Sequence, residues 1–235
     1  MLDSAALVAR LADVRERIAR AAGRAGRDAS TVRLVAVSKT FGDDYVRAAA
    51  DAGQRDFGES KVQEAFGKMD RTADLPLRWH LVGHLQSNKA RKAGARFEMI
   101  HSIDHVELGG TLDRAAGVAG RSIDLLVQVA LVPEPTKHGA GELDLPAIFD
   151  AARAWRSARL VGLMLLPPAS DDPEDSRLHF RALRSLRDRL LDRGVPAGMV
   201  AQLSMGMSHD FEVAVEEGAT IVRVGAALFG ERVRV

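Results

Sequence analysis

Hydrophobic residues near the start of the chain recur at intervals of three and four residues. Four of them have this spacing: Leu7, Leu11, Val14 and Ile18. Arginines and acidic residues lie between them, so the apolar side chains would share one face of a helix. The pattern predicts an amphipathic helix within an N-terminal extension, residues 1–30, with Asp3 or Ser4 as its cap.

After this extension the pattern changes to short apolar runs that alternate with helical stretches. Eight runs are typical of strands: 33–38, 55–58, 78–82, 99–103, 123–129, 160–166, 199–203 and 220–224. Seven stretches have helical periodicity: 45–52, 61–69, 88–95, 106–116, 145–155, 178–193 and 211–217. This alternation predicts parallel strands joined by right-handed crossovers. Eight such units favour an α/β fold, a (β/α)8 TIM barrel, with a doubly wound open sheet as the main alternative.

Composition adds limits to this picture. No low-complexity linker divides the chain, so residues 1–235 are interpreted as a single domain, with LVPEPTKHGAGELD and LLPPASDDPED as strand-to-helix loops. Basic and acidic residues number 33 and 32, and no basic stripe is present, which disfavours nucleic acid as a partner. The chain has no cysteine, which excludes disulfides and thiolate metal sites. It shows no signal peptide and no membrane-spanning run, so we expect a cytoplasmic protein without membrane contact.

Polar side chains are predicted at the carboxyl ends of several strands. Lys39 follows the apolar run LVAVS, while Ser60 and His80 come near the ends of the next two strands. Met164 lies near the end of the sixth. In a TIM barrel these ends form the active-site face, so we expect the four side chains to converge there. For Lys39 an alternative remains, because many lysines at strand ends reach water along their aliphatic stem.

The last two strands are followed by segments suited to an anion, SMGMS and RVGAALFG. Backbone N–H groups at helix starts, glycines and serine hydroxyls can together bind a phosphate, and the loops after strands seven and eight are its usual position in this fold. The candidate phosphate-binding residues are Ser204, Met205, Gly206, Ser208, Gly225 and Ala226. Two alternatives stay open: Ser208 could cap the following helix, and Gly225 could serve close packing.

A lysine opposite a phosphate site, without a Walker-type motif, suggests a carbonyl cofactor that carries its own phosphate. Pyridoxal 5'-phosphate (PLP) fits this description, because its aldehyde can form an imine with a lysine amine. Arg223 on the last strand could face the pyridine nitrogen. A guanidinium only donates hydrogen bonds, so the nitrogen beside it would be unprotonated and the ring a poor electron sink.

Six motifs together resemble the pyridoxal phosphate homeostasis protein family: AVSKT, FGES, WHLVGHLQSNK, IHSID, LSMGMSHDFEVAVEEGAT and VRVGAALFGER. The resemblance extends from about residue 34 to residue 232. It implies a barrel like the N-terminal domain of alanine racemase, a Schiff base on Lys39 and a ring nitrogen facing Arg223. It also implies phosphate contacts from Ser204, Gly225 and the neighbouring backbone.

One position departs from the family pattern, which usually reads FGEN where this chain has Ser60. A serine hydroxyl lacks the reach of an asparagine amide. The departure therefore puts in doubt a contact on the side of the cofactor that carries the ring oxygen.

The resemblance favours a protein that binds and delivers PLP over an enzyme. A two-base racemase usually needs a tyrosine and a further domain, whereas the one tyrosine, Tyr45, is expected to pack on a helix. Gly83 and the strand setting argue against a metal held by His80 and His84. We assign no catalytic or metal-binding residue. The alternative to a PLP-delivering protein is a PLP-dependent amino-acid racemase, and a purely structural scaffold is disfavoured. Expected partners are PLP and PLP-requiring apoenzymes, with the chain as a monomer or weak homodimer.

Overall fold

A closed barrel of parallel strands dominates the computed structural model, which describes residues 2–131 and 138–230. Within these residues there are eight strands: β1 (Arg33–Val37), β2 (Asp56–Glu59), β3 (Arg78–Leu81), β4 (Met99–Ile103), β5 (Ile123–Gln128), β6 (Ala158–Met164), β7 (Gln202–Ser204) and β8 (Ile221–Val224). Each strand pairs with the next, and β8 pairs with β1 in the register Ala36 to Val224. The TIM barrel prediction is confirmed, and the open-sheet alternative is wrong because the sheet has no edge.

Helices follow the strands in the order expected of (β/α) units. The described residues form α1 (Ser4–Arg24), α2 (Asp43–Asp51), α3 (Val62–Arg71), α4 (Ala90–Gly94), α5 (Val106–Val118), α6 (Leu145–Ala152), α7 (Arg177–Asp192), α8 (Phe211–Glu216) and α9 (Ala226–Phe229). The predicted strand 199–203 begins too early. Pro196 caps a 3-10 turn in which the Met199 N–H donates to its carbonyl at 2.8 Å, so strand pairing starts only at Gln202.

The N-terminal helix α1 packs on the outside of the barrel. Asp3 is its cap and accepts the Ala6 N–H at 3.0 Å. The four apolar residues predicted for one helix face are all buried, and each such burial stabilises the fold by about 1.5–3 kcal/mol. Arg10 anchors the helix to α9 by donating to the Leu228 carbonyl at 2.7 Å. The α1 helix therefore supports the segment that follows β8.

The apolar core has two parts, which alternate along the strands. Residues such as Val222 and Val224 belong to the large cluster between barrel and helices. A second, smaller cluster fills part of the barrel interior: Val35, Met99, Leu126, Met164 and Ile221. Because strand side chains alternate between faces, Arg223 also points into the interior. The interior is therefore partly polar, unlike the bulky aliphatic filling usual in this fold.

None of the helices in residues 2–131 and 138–230 is both long and apolar enough to cross a membrane.

Candidate functional site

Lys39 lies two residues after β1, at the carboxyl-terminal face of the barrel, where its side chain is half-buried. The next residue, Thr40, has a φ of 73° although it is β-branched. Such a backbone costs about 1–3 kcal/mol and persists only where surrounding contacts hold it. Glu64 provides one such contact, since its carboxylate accepts the Thr40 N–H at 2.6 Å. The strained turn fixes the direction in which the chain leaves Lys39.

A buried ion cluster supports this turn from below. The Lys68 ammonium donates to the Ser38 carbonyl at 2.7 Å, to Glu59 Oε1 at 2.6 Å and to Glu64 Oε1 at 2.9 Å. Ser38 Oγ donates to the same Glu59 oxygen at 2.7 Å. Burial raises the pKa of Glu59 despite these hydrogen bonds. Three acceptors use all three Lys68 protons, so Lys68 is a structural cation, which leaves Lys39 as the candidate nucleophile at this strand end.

The Ser208 hydroxyl lies at the start of α9. Its oxygen accepts the Gly225 N–H at 3.0 Å and the Ala227 N–H at 3.2 Å. The alternative interpretation, that Ser208 caps the next helix, is wrong. That position belongs to Asp210, whose carboxylate accepts the Met207 N–H at 2.6 Å. Ser208 therefore joins the loop after β7 to the N–H groups after β8.

Two glycines let these loops pack closely, Gly206 against α8 and Gly225 against β1. Gly206 has a φ of 93°, and a Cβ atom there would lie 2.5 Å from the Ala214 Cβ. A Cβ at Gly225 would lie 3.2 Å from the carbonyl oxygen of Val37. The close packing considered for Gly225 is thus present, and it sets the start of α9 beside the end of β1. Ala226 is exposed at the first position of that helix.

Arg223 lies inside the barrel beneath these loops, with 4% of its surface exposed. Its guanidinium donates to Ser204 Oγ at 2.6 Å and to the Leu165 carbonyl at 2.9 Å. Burial lowers the pKa of Arg223 to about 10, which leaves it cationic at neutral pH. Ser204, predicted as a phosphate ligand, hydrogen-bonds to Arg223, and its Oγ lies 2.8 Å from His101 Nδ1. The hydroxyl at the start of α9 is that of Ser208.

His80 points away from the carboxyl-terminal face. Its Nε2 lies 3.0 Å from Asp56 Oδ1, at the first residue of β2, and its Nδ1 lies 3.0 Å from His101 Nε2. The ring is therefore directed toward the amino-terminal end of the barrel. The sequence identified His80 but missed His101, because residues that far apart reveal no pairing in one sequence.

The remaining candidates divide between the site and the core. Ser60 is half-buried after β2, and a Cβ at Gly83 would lie 2.4 Å from its carbonyl oxygen. Met164 belongs to the interior cluster, whereas Met205 packs in the cluster between barrel and helices. The Met205 side chain is therefore not available to a ligand, and its N–H donates to the Ile221 carbonyl at 3.1 Å. Tyr45 packs against Phe41 at a ring distance of 5.0 Å, as its expected packing role requires.

One group of side chains of the types that can bind a metal was not predicted from the sequence. His84, Asp104 and His138 place their donor atoms within 4.8 Å of one another, from three different loops. The two imidazoles are stacked, with ring centroids 3.6 Å apart and planes inclined by 10°. Lone pairs of parallel rings run side by side and do not converge on one ion. We therefore assign no metal to this group.

Known proteins share this architecture. Residues 9–233 match the family described as "Alanine racemase, N-terminal domain". A histidine racemase from Leuconostoc mesenteroides, 19% identical, superposes with a TM-score of 0.72 and covers 98% of this chain and 58% of that one. At this identity the likeness concerns the fold alone, and it agrees with the barrel described above.

Relatives of higher identity extend over nearly the whole chain. The "Pyridoxal phosphate homeostasis protein" of Aquifex aeolicus is 41% identical over 223 residues, which cover 95% of this chain and 97% of the relative. That of Pseudomonas aeruginosa is 43% identical over 222 residues, 94% of each chain. The solved structure of PipY from Synechococcus elongatus with PLP bound has a TM-score of 0.84 and 40% identity, covering 95% of this chain and 100% of that one. The chain therefore belongs to the pyridoxal phosphate homeostasis protein family.

Proposed function

We propose that this chain binds PLP at the carboxyl-terminal face of its barrel, as a covalent imine on Lys39, and takes part in holding and delivering the cofactor inside the cell. One observation carries the proposal most directly. Lys39 directly follows Ser38 at the end of β1, Arg223 lies on the adjacent strand β8, and the N–H groups at the start of α9 come directly after β8. The relative with PLP bound supports the same ligand class.

The phosphate fits the start of α9. The Gly225 and Ala227 N–H groups converge on one oxygen, the Ser208 hydroxyl, and thus on a position that an anionic oxygen would favour. The lack of a side chain at Gly206 and Gly225 lets the two loops pack closely around this position. A rotation of Ser208 would free these N–H groups for the phosphate and let the hydroxyl donate to it.

PLP supplies an aldehyde that condenses with a primary amine, with loss of water. Lys39 provides that amine, and it must be neutral to attack. The strained turn at Thr40 holds the backbone of Lys39, and Lys68 donates a hydrogen bond to the carbonyl of the preceding residue, Ser38. The guanidinium of Arg223 has only donors to offer, so the ring nitrogen of a cofactor held beside it would be an unprotonated acceptor. Such a ring takes up little charge, which favours holding the cofactor over turnover.

The second candidate function is that of a PLP-dependent amino-acid racemase. It requires a second acid–base group, and Tyr45 packs within an aromatic cluster with Phe41 and Phe229. Recipients of the cofactor in our proposal are PLP-requiring apoenzymes of the cytoplasm, served by a monomer or weak homodimer.

The test separates the two functions. Purified protein is incubated with PLP, its absorption spectrum is recorded, and L-alanine and D-alanine are then followed by chiral chromatography. We expect a yellow imine band and no interconversion of the enantiomers. Absence of the band would exclude the imine on which the proposed function rests, whereas rapid interconversion of the enantiomers would establish the racemase.

The phosphate position gives a further prediction. Ser208→Ala combined with Gly225→Val should weaken PLP binding about tenfold or more, because charge-assisted hydrogen bonds each contribute roughly 1.5–3 kcal/mol. Pyridoxal, which lacks the phosphate, should lose little affinity. Ser204→Ala is the matched control and should affect both ligands alike, since Ser204 bonds to Arg223. Equal losses of PLP and pyridoxal in the double variant would place the phosphate elsewhere.

A further inference from the structure

An unbroken chain of buried polar side chains crosses the barrel interior. It begins at Arg223, whose guanidinium donates to Ser204 Oγ at 2.6 Å, and continues over 2.8 Å to His101 Nδ1. His101 Nε2 lies 3.0 Å from His80 Nδ1, and His80 Nε2 lies 3.0 Å from Asp56 Oδ1. No member is more than 5% exposed. The chain thus links the cofactor face to the first residue of β2, at the opposite end of the barrel.

The two ends determine the direction of every hydrogen bond. Arg223 can only donate, and an ionised Asp56 can only accept. His80 therefore carries its proton on Nε2, and His101 donates from Nε2 to His80 Nδ1. The Ser204 hydroxyl then donates to His101 Nδ1 while its oxygen accepts from Arg223. All donors point from Arg223 toward Asp56.

The charge states agree with this polarity. Burial raises the pKa of Asp56, but hydrogen bonds from His80 and Arg78 outweigh it, so the net pKa is lowered and the carboxylate is ionised. Burial lowers the pKa of His80, and it lowers that of His101 well below its usual range. Both rings are therefore neutral at pH 7, with one donor and one acceptor nitrogen each.

The buried charge of Arg223 is compensated by this polar series. No carboxylate in the described part of the chain hydrogen-bonds to its guanidinium, although Asp210 contributes a favourable charge from a distance. A buried cation without compensation is costly. The polar groups of Ser204, His101 and His80 all have the negative end of their dipole toward Arg223. The series ends on the carboxylate of Asp56. That carboxylate is held in turn by Arg78 at 2.9 Å and lies 4.0 Å from Arg33.

We propose that Asp56, His80, His101 and Ser204 are positioning residues that orient Arg223 and compensate its charge, so that the environment of the cofactor ring is set from the opposite end of the barrel. The inference rests on the proposed function insofar as Arg223 faces the ring. The hydrogen-bonded series from Arg223 to Asp56, which we call the relay, exists without cofactor. The direction of its hydrogen bonds can therefore be tested separately.

The first test uses the protein without PLP. Nitrogen-15 NMR of the histidine rings at pH 7, with His80→Gln and His101→Gln for assignment, should show both residues as neutral rings with the proton on Nε2. A protonated ring, or a proton on Nδ1 of either residue, would overturn the proposed polarity. This result does not depend on PLP binding.

The second test measures coupling to the cofactor in the PLP-loaded protein. Asp56→Asn removes the terminal charge and should lower, by about 0.4 pH unit or more, the pH at which the yellow band is lost on alkaline titration. The direction follows because a less compensated Arg223 disfavours positive charge on the cofactor imine. Asp124→Asn is the matched control: Asp124 lies on the same barrel face and bonds Arg159 at 2.8 Å, outside the relay.

A double-variant cycle separates the relay from a field acting through space. In a Ser204→Ala background the connection to Arg223 is cut, so Asp56→Asn should no longer shift the titration. A shift of equal size in both backgrounds, or one matched by Asp124→Asn, would refute the relay. If Asp56→Asn does not fold, His80→Gln, which breaks the chain without a change of charge, takes its place in the cycle. If wild type forms no yellow band, the proposed function fails, while the NMR result still decides the relay's polarity.

Discussion

Replacement of Lys39 by alanine is expected to abolish the yellow band that PLP produces in the wild-type protein. The reason is chemical, since the band requires an imine and the proposed amine is lost. Lys68, whose ammonium reaches this strand end from α3, is committed to three acceptors and cannot substitute. The measurement is an absorption titration with PLP at constant pH, accompanied by circular dichroism to confirm folding.

Lys61→Ala serves as the matched control because Lys61 is exposed and directly precedes α3. It should keep the band at full intensity. A band of undiminished intensity in Lys39→Ala, or its loss in Lys61→Ala, would contradict the assignment of the imine.

Arg223→Glu is expected to have the second large effect, provided the variant retains cofactor. A carboxylate beside the ring nitrogen favours the protonated pyridinium, which takes up charge from the α-carbon of an amino acid far better than the neutral ring. Exchange of the alanine α-proton with solvent deuterium should therefore rise about tenfold or more over a slow wild-type rate. Proton NMR of alanine in deuterated buffer, with wild type and variant side by side, measures it.

Arg223→Gln is the control for this comparison, because it removes the guanidinium without adding a negative charge. Its exchange rate should stay near that of wild type. Rapid exchange by wild type would favour the racemase. A glutamate variant that binds PLP but changes neither spectrum nor exchange would show that Arg223 does not face the ring.

The barrel was predictable because its signal is repeated. Eight apolar runs alternate with helical stretches, and an error in one boundary, such as the early start predicted for β7, leaves the alternation intact. The position of Lys39 followed from the same pattern, since a lysine directly after a buried strand must lie at the carboxyl-terminal face.

The interior of the site could not be predicted in the same way. Strand alternation places Ser204 inside the barrel, but SMGMS alone does not distinguish it from Ser208, which has the same hydroxyl and lies in the following loop. The pairing of His101 with Ser204 joins residues 103 positions apart. The positive φ of Thr40 contradicts the preference of a β-branched residue, so only tertiary contacts reveal it.

The most direct test of the central claim is borohydride reduction of the PLP-loaded wild-type protein, followed by peptide mass spectrometry. Reduction converts the imine into a stable secondary amine and leaves the cofactor on the residue that held it. We expect one reduced pyridoxyl phosphate group per chain, on the peptide that contains Lys39. A label on Lys61, on Lys89 or on Lys137, which lies outside the described residues, or no label in protein that shows the yellow band, would contradict it.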